Sequence, residues 1–167
     1  MPGRSAETYL LVAAAVAGLI HAAFILYWAL GGRWLLRTVG EWAVDYAREA
    51  PVAAGMLLTT VAGVKCAVAL VPLLASRGLL PRPRAWRGLA WLAAIVLIGY
   101  GAVNSVVGWI VLGGVVRPEG GFDRQAMTGH AYLWDPLFLV WGLLLGVGLL
   151  AGAAGDRRTR ASAGAAL

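Results

Sequence analysis

Four apolar runs, each about as long as a bilayer is thick, decide what this chain can become. They are Tyr9–Leu30 (YLLVAAAVAGLIHAAFILYWAL), Val52–Ala75, Leu89–Leu112 and Pro136–Ala154. A helix needs about 20 apolar residues to cross the hydrocarbon core, and each run suffices, the fourth only just. In hydrocarbon the backbone must satisfy its own hydrogen bonds, so such runs fold as helices. Composition agrees: 60% of residues are hydrophobic, 13% are charged and the mean hydropathy is +0.77. A soluble domain carries roughly twice that share of charge. The first run could also be read as a cleaved signal peptide. It is too long for a signal core and no small-x-small site follows a shorter one, so it is expected to stay. Pro51 fits the first position of the second helix.

The net charge of +6 does not point to nucleic acid, because the basic residues fall between the apolar runs and at the tail. The segment SRGLLPRPRAWRG carries Arg77, Arg82, Arg84 and Arg87 and no acid; Arg4, Arg157, Arg158 and Arg160 lie near the ends. The other two connections mix signs, with Arg33, Glu41, Asp45, Arg48 and Glu49 in one and Arg117, Glu119, Asp123 and Arg124 in the other. The positive-inside rule then puts both termini and the middle loop in the cytoplasm. The expected location is a bacterial inner membrane, the bacterial origin resting on an Ala-, Gly- and Arg-rich composition. The expected organisation is one membrane domain over 1–155 and a basic, disordered cytoplasmic tail over 156–167.

Between the first two runs, Leu35, Val39, Trp42 and Tyr46 recur at spacings of four, three and four, on one helical face. RWLLRTVGEWAVDYARE is therefore expected to be a helix lying flat on the outer surface, or a lid, with a break allowed at Gly40. The fold class is all-α: a four-transmembrane-helix bundle with an extracytoplasmic interfacial helix between helices 1 and 2. Small residues are expected at helix contacts: Gly55, Thr59, Gly63 and Ala67 in the second helix, Ala14, Gly18 and Ala22 in the first, Gly101 and Ser105 in the third, Gly142, Gly146, Gly148 and Gly152 in the fourth. Trp28, Trp34, Trp42, Trp109 and Trp134 gather toward the outer boundary, as an aromatic belt would.

Ionisable groups inside a membrane are costly, which makes each a candidate for function. Lys65, the only lysine, lies near the middle of the second run. To reach the surface it would have to span roughly 15 Å with a side chain of about 6 Å, so it must face inward. His21 and Asn104 are near mid-span in helices 1 and 3 and are its candidate partners. His130 and Asp135 flank the expected start of the fourth helix. Asp135 is the nearest acid, but lies an estimated 12–15 Å away in depth, roughly, on helix rise. The plainer readings are cross-helix hydrogen bonds for His21 and Lys65 and a headgroup-level loop position for His130.

Bis-histidine haem ligation is poorly served, because His21 lies roughly 13 Å below the boundary at which His130 sits. No HxxxH or HxxE spacing suggests a metal, and no cofactor is expected. The single cysteine, Cys66, excludes an intramolecular disulfide and cysteine-pair redox chemistry, and reads as a small buried hydrophobe.

In GHAYLWDPLFLVWGLLLG, the Asp135–Pro136 pair reads as a helix start: proline fits the first helical position and the aspartate caps free amides. If Gly142 and Gly146, on the same face, pack inward, the capping carboxylate points into the bundle mouth.

Two blocks, HAAFILYWALGGRW followed by TVG and GHAYLWDPLFLVWG, resemble a family of small four-helix bacterial membrane proteins classed as a domain of unknown function. The matching positions are His21, Trp28, Gly31, Gly32 and Trp34, then Gly129, His130, Trp134, Asp135, Pro136 and Trp141. The resemblance implies an architecture and no reaction. Three readings remain. The first is a protein binding a small or lipophilic ligand in the outer half of the bundle, lined by His21, Lys65, Asn104, His130 and Asp135 under Trp28 and Trp34. The second is an enzyme acting on a lipophilic substrate, with Lys65 or a histidine as acid or base. The third is an accessory subunit whose polar residues only fix packing. The bilayer is the expected partner, and a homo-oligomer or a membrane partner stays open.

Overall fold

A computed structural model describes residues 2–164 of the chain. Among them the fold is all helical. Helix α1 spans Pro2–Ala29, α2 Glu41–Glu49, α3 Pro51–Ser76 and α4 Pro83–Leu112. Helix α5 (Arg124–Gly129) passes through a π-helical turn, His130–Trp134, straight into α6 (Asp135–Gly164), and the three form one continuous helix. Four helices are therefore long and apolar enough to cross a membrane, and a fifth, α2, is short.

The long helices pack in the order α3–α1–α6–α4, and α3 and α4 meet more sparingly than the other neighbours. Two apolar cores follow. One, toward the two termini, holds Leu11, Ala14, Ala17, Ala69, Ala94, Trp141 and Leu145. The other, toward the opposite end, holds Ile25, Trp28, Leu36, Ala62 and Trp134. This opposite end, closed over by residues 30–50 and 113–134, is called the capped end below.

Close packing rests on small residues, as hydrocarbon gives apolar side chains no reason to prefer protein over lipid. A Cβ on Gly18 would lie 2.6 Å from Trp141, and one on Gly101 would lie 2.5 Å from the backbone nitrogen of Leu139. Ala14, Ala22, Gly142, Gly146, Gly148 and Gly152 are likewise buried. The expected stripe on the second helix is not: Thr59, Gly63 and Ala67 are exposed, and Ala54, Ala62, Ala69 and Pro72 are buried instead. A spacing of four defines a stripe but not its direction, and here the alanine face turns to α1.

The connection over 33–49 departs from a single helix. Leu35 takes a left-handed conformation (φ 61°), a short 3-10 turn covers Leu36–Thr38, and Gly40 (φ 144°) breaks the chain before α2. Only glycine adopts such a φ at low cost, so the break falls where the sequence allows it. Leu36 is buried, and Leu35, Val39, Ala43, Val44 and Ala47 pack on the capped-end core, whereas Trp42 and Tyr46 are exposed. The break shifts the phase of α2, so the expected face does not persist. At the other end, α6 extends to Gly164.

Candidate functional site

A polar layer separates the two apolar cores. On α1, His21 stands between Ala17 and Ile25; on α3, Lys65 stands between Ala62 and Ala69; on α6, Phe138 stands between Trp134 and Trp141. The interval of three or four residues on each helix sets these side chains on the buried face, one turn from each core.

The Lys65 Nζ lies 3.0 Å from His21 Nδ1 and 4.6 Å from the centroid of the Phe138 ring. The His21 ring stacks at a tilt on Phe138, with centroids 4.2 Å apart, and lies 5.7 Å from Trp134. His21 is buried and its Nε2 has no protein partner. Toward the capped end an aromatic roof follows: Phe24, Trp28, Trp34 and Trp134 lie with centroids 5.2–6.0 Å apart. Aromatic pairs at this spacing are each worth about 0.5–1.5 kcal/mol beyond burial. The Trp28 indole donates to the carbonyl of Trp34 at 2.9 Å, which pins the turn after α1.

Asp135 is not the cap of a helix. The continuous helix begins eleven residues earlier, at Arg124, where Asp123 Oδ1 accepts from the amides of Gln125 and Ala126. Asp123 Oδ2 also accepts from the amide of Glu41 at 3.2 Å, clasping α2 to α5. These amides, that of Ala126 first, hold the Asp123 carboxyl below the usual carboxylate range. The sequence signal was sound in kind but misplaced. Pro136 does break the ordinary helix ladder, and the chain answers with a π-turn rather than a new start. The Asp135 amide donates to the carbonyl of His130, five residues back. The next donor in that register is the nitrogen of Pro136, which has no hydrogen, so the Ala131 carbonyl is left over. The Trp109 indole donates to it at 3.1 Å. Gly108 lets α4 come this close, as a Cβ there would lie 2.7 Å from that of Ala131.

The π-turn turns Asp135 inward, where it is only 1% exposed. Its Oδ2 lies 3.1 Å from His130 Nδ1, and its Oδ1 has no protein partner. His130 Nε2 donates to the carbonyl of Val39 at 3.2 Å, which fixes a proton on that nitrogen. Nδ1 then either donates to a carboxylate as part of an imidazolium or accepts from a carboxylic acid; the pair is neutral overall in both cases. Nearby, Trp134 Nε1 donates to Thr38 Oγ1 at 3.0 Å, and Thr38 backbone packs on Gly129, where a Cβ would lie 2.2 Å from its carbonyl.

The candidate residues thus fall into two pairs, His21–Lys65 and His130–Asp135, with Trp134 between them. Asn104 does not join either: its Nδ2 donates to the carbonyl of Tyr100 on its own helix at 2.9 Å. Trp28 is buried in the roof, and Trp34 is 65% exposed at its edge. Asp135 also lies closer in depth to Lys65 than expected, as Lys65 stands over the ring three residues along α6. The expected separation placed the start of the last span at Pro136. Phe138, Trp134, Tyr100 and Trp109 were not singled out as partners by the sequence, since apolar and aromatic residues are everywhere in such spans. Among the described residues no three His, Cys, Asp or Glu side chains lie close enough together to hold a metal ion.

A model of a family described as "Protein of unknown function (DUF3995)" matches residues 9–145, and the chain belongs to that family. Both sequence blocks, His21–Trp34 and Gly129–Gly142, lie within the match. No curated protein and no solved structure matches the chain.

Proposed function

We propose, from the polar layer and from membership of a family whose description names no activity, that this chain is a multi-pass protein of the bacterial cell membrane that binds a small lipophilic molecule within its helices. Both termini and the Arg77–Arg87 connection lie in the cytoplasm, where their arginines are favoured. The capped end then faces outward, with α2 and the turn before it at the outer interface. The binding region lies in the half of the bundle under the aromatic roof. Lys65 and His21 form its floor, Asp135 and His130 its flank, and Trp28 and Trp34 its cover.

One observation carries this reading. Among the described residues four buried side-chain polar atoms have no protein partner, and two of them, His21 Nε2 and Asp135 Oδ1, belong to these two pairs; the others are Ser105 Oγ and Trp141 Nε1. A buried polar group without a partner costs about 1–3 kcal/mol, a cost relieved by anything that bonds to it. What sets His21 and Asp135 apart is that each is an ionisable side chain already engaged at its other polar atom, His21 with Lys65 and Asp135 with His130. An acid–base role would use the same two pairs.

The test is native mass spectrometry of the full chain extracted from its own membranes in mild detergent, alongside Lys65→Met and His21→Phe. A bound small molecule in the wild-type chain, lost from both variants while they still unfold cooperatively, supports the proposal. No bound mass in the wild-type chain, with both variants simply failing to fold, makes these residues packing elements and overturns it.

A further inference from the structure

The ring of Phe138 meets three helices at once. His21 of α1 lies 4.2 Å from it between centroids, Lys65 Nζ of α3 lies 4.6 Å from its centroid, and Tyr100 of α4 meets it edge-on at 5.4 Å. Phe138 therefore floors the seam between α3 and α4, the sparsest contact among neighbouring long helices. The seam is open at this level: Tyr100 is 51% exposed, and Lys65 and Phe138 are half-buried.

A protonated Lys65 has three N–H donors, one of which His21 Nδ1 then accepts. The π face of Phe138 attracts its charge without neutralising it. Among the described residues no carboxylate reaches Lys65 within ion-pair distance. Asp135, among the described residues the only acid at this level, is already held by His130. The Tyr100 hydroxyl, across the same ring, has no hydrogen-bond partner among the described residues. A buried cation is retained at low cost only when something pairs with it.

We infer that the α3–α4 seam takes a lipophilic carboxylic acid from the membrane: one apolar chain ending in one carboxylate. Its head sits between Lys65 and Tyr100 over Phe138, and its chain lies along the seam. This rests on the ligand-binding reading above and adds the ligand class and the route of entry. A single negative charge matches the single positive charge that a protonated Lys65 carries. A phosphate monoester brings more charge than the site neutralises, and an uncharged alcohol or ketone leaves Lys65 unpaired. The second head oxygen accepts from the Tyr100 hydroxyl. The missing lateral packing between α3 and α4 is what admits a chain from the side.

The probe is a pyrene-labelled long-chain fatty acid and its methyl ester, titrated into the full chain in nanodiscs of phosphatidylcholine above neutral pH. The acid binds saturably and the ester at least about tenfold more weakly, as expected when a charge-assisted contact is lost. Lys65→Met weakens the acid to the level of the ester, Lys65→Arg retains it, and Tyr100→Phe weakens it by roughly three- to tenfold. Equal affinity for acid and ester, both lost in Lys65→Met, overturns the acid inference and leaves the ligand-binding reading standing. Saturable binding of neither overturns the acid inference, and the mass spectrum of the extracted chain then decides the ligand-binding reading. Should Lys65→Met fail to fold, the acid–ester comparison and Tyr100→Phe, at an exposed ring, decide the matter.

Discussion

Lys65 stands over a ring three residues from Asp135, yet the two form no ion pair, and the carboxylate meets His130 instead. Removing that partner is costly in proportion to burial. Asp135→Ala leaves His130 facing an apolar void and is expected to destabilise by about 1–3 kcal/mol, whereas Asp135→Asn keeps an acceptor for Nδ1–H and loses less. Thermal unfolding of the two variants in one detergent checks the order, and a larger loss for Asn reverses it. That Lys65 and His21 face inward was legible from the sequence, because lipid rejects both groups. That Lys65 meets His21 rather than Asn104 was not, since the phase between two helices is set by how they pack. Asp135 was misread for a local reason: aspartate before proline is a good helix start, and nothing in seven residues tells a start from a π-turn.

The π-turn is the element on which the capped end depends. Its leftover Ala131 carbonyl has the Trp109 indole as donor, so Trp109→Phe orphans a buried acceptor. The expected loss is roughly 0.6–2 kcal/mol, as for other hydrogen bonds within membranes, read as a lower melting temperature. Gly129→Ala pushes against the carbonyl of Thr38 and is expected to loosen the 3-10 turn, raising hydrogen exchange at Thr38 and Val39. The α2–α5 clasp has a pH dependence of definite sign. The folded-state value of Asp123 is depressed, so its contribution is complete above the ordinary carboxylate pKa and is lost as pH falls through the folded value. Amide exchange at Gln125, Ala126 and Glu41 is expected to accelerate, beyond its intrinsic pH trend, only below about pH 4, and Asp123→Ala to show the faster exchange already at neutral pH. Helix existence was readable from apolar length alone; the early start at Arg124 was not, because HAYLW resembles loop as much as helix.

For the whole molecule, the arginine pattern makes a prediction about sidedness. In a Cys66→Ala background, a cysteine at Ser162 is expected to react with a membrane-impermeant maleimide only after cells are opened, and one at Glu119 in intact cells with a permeable outer membrane. The reverse pattern inverts the topology and moves the aromatic roof to the cytoplasmic side. The architecture of the long helices was legible because bilayer thickness is a constraint every span must meet; the seam between α3 and α4 was not, because it is an absence of packing. The last helix has a mechanical consequence. From Arg124 to Gly164 it runs about 60 Å at ~1.5 Å per residue, twice the ~30 Å of a hydrocarbon core. A helix of that length is expected to couple the Asp123 clasp to its far end, past Asp135 and Phe138, through the π-turn at His130–Trp134.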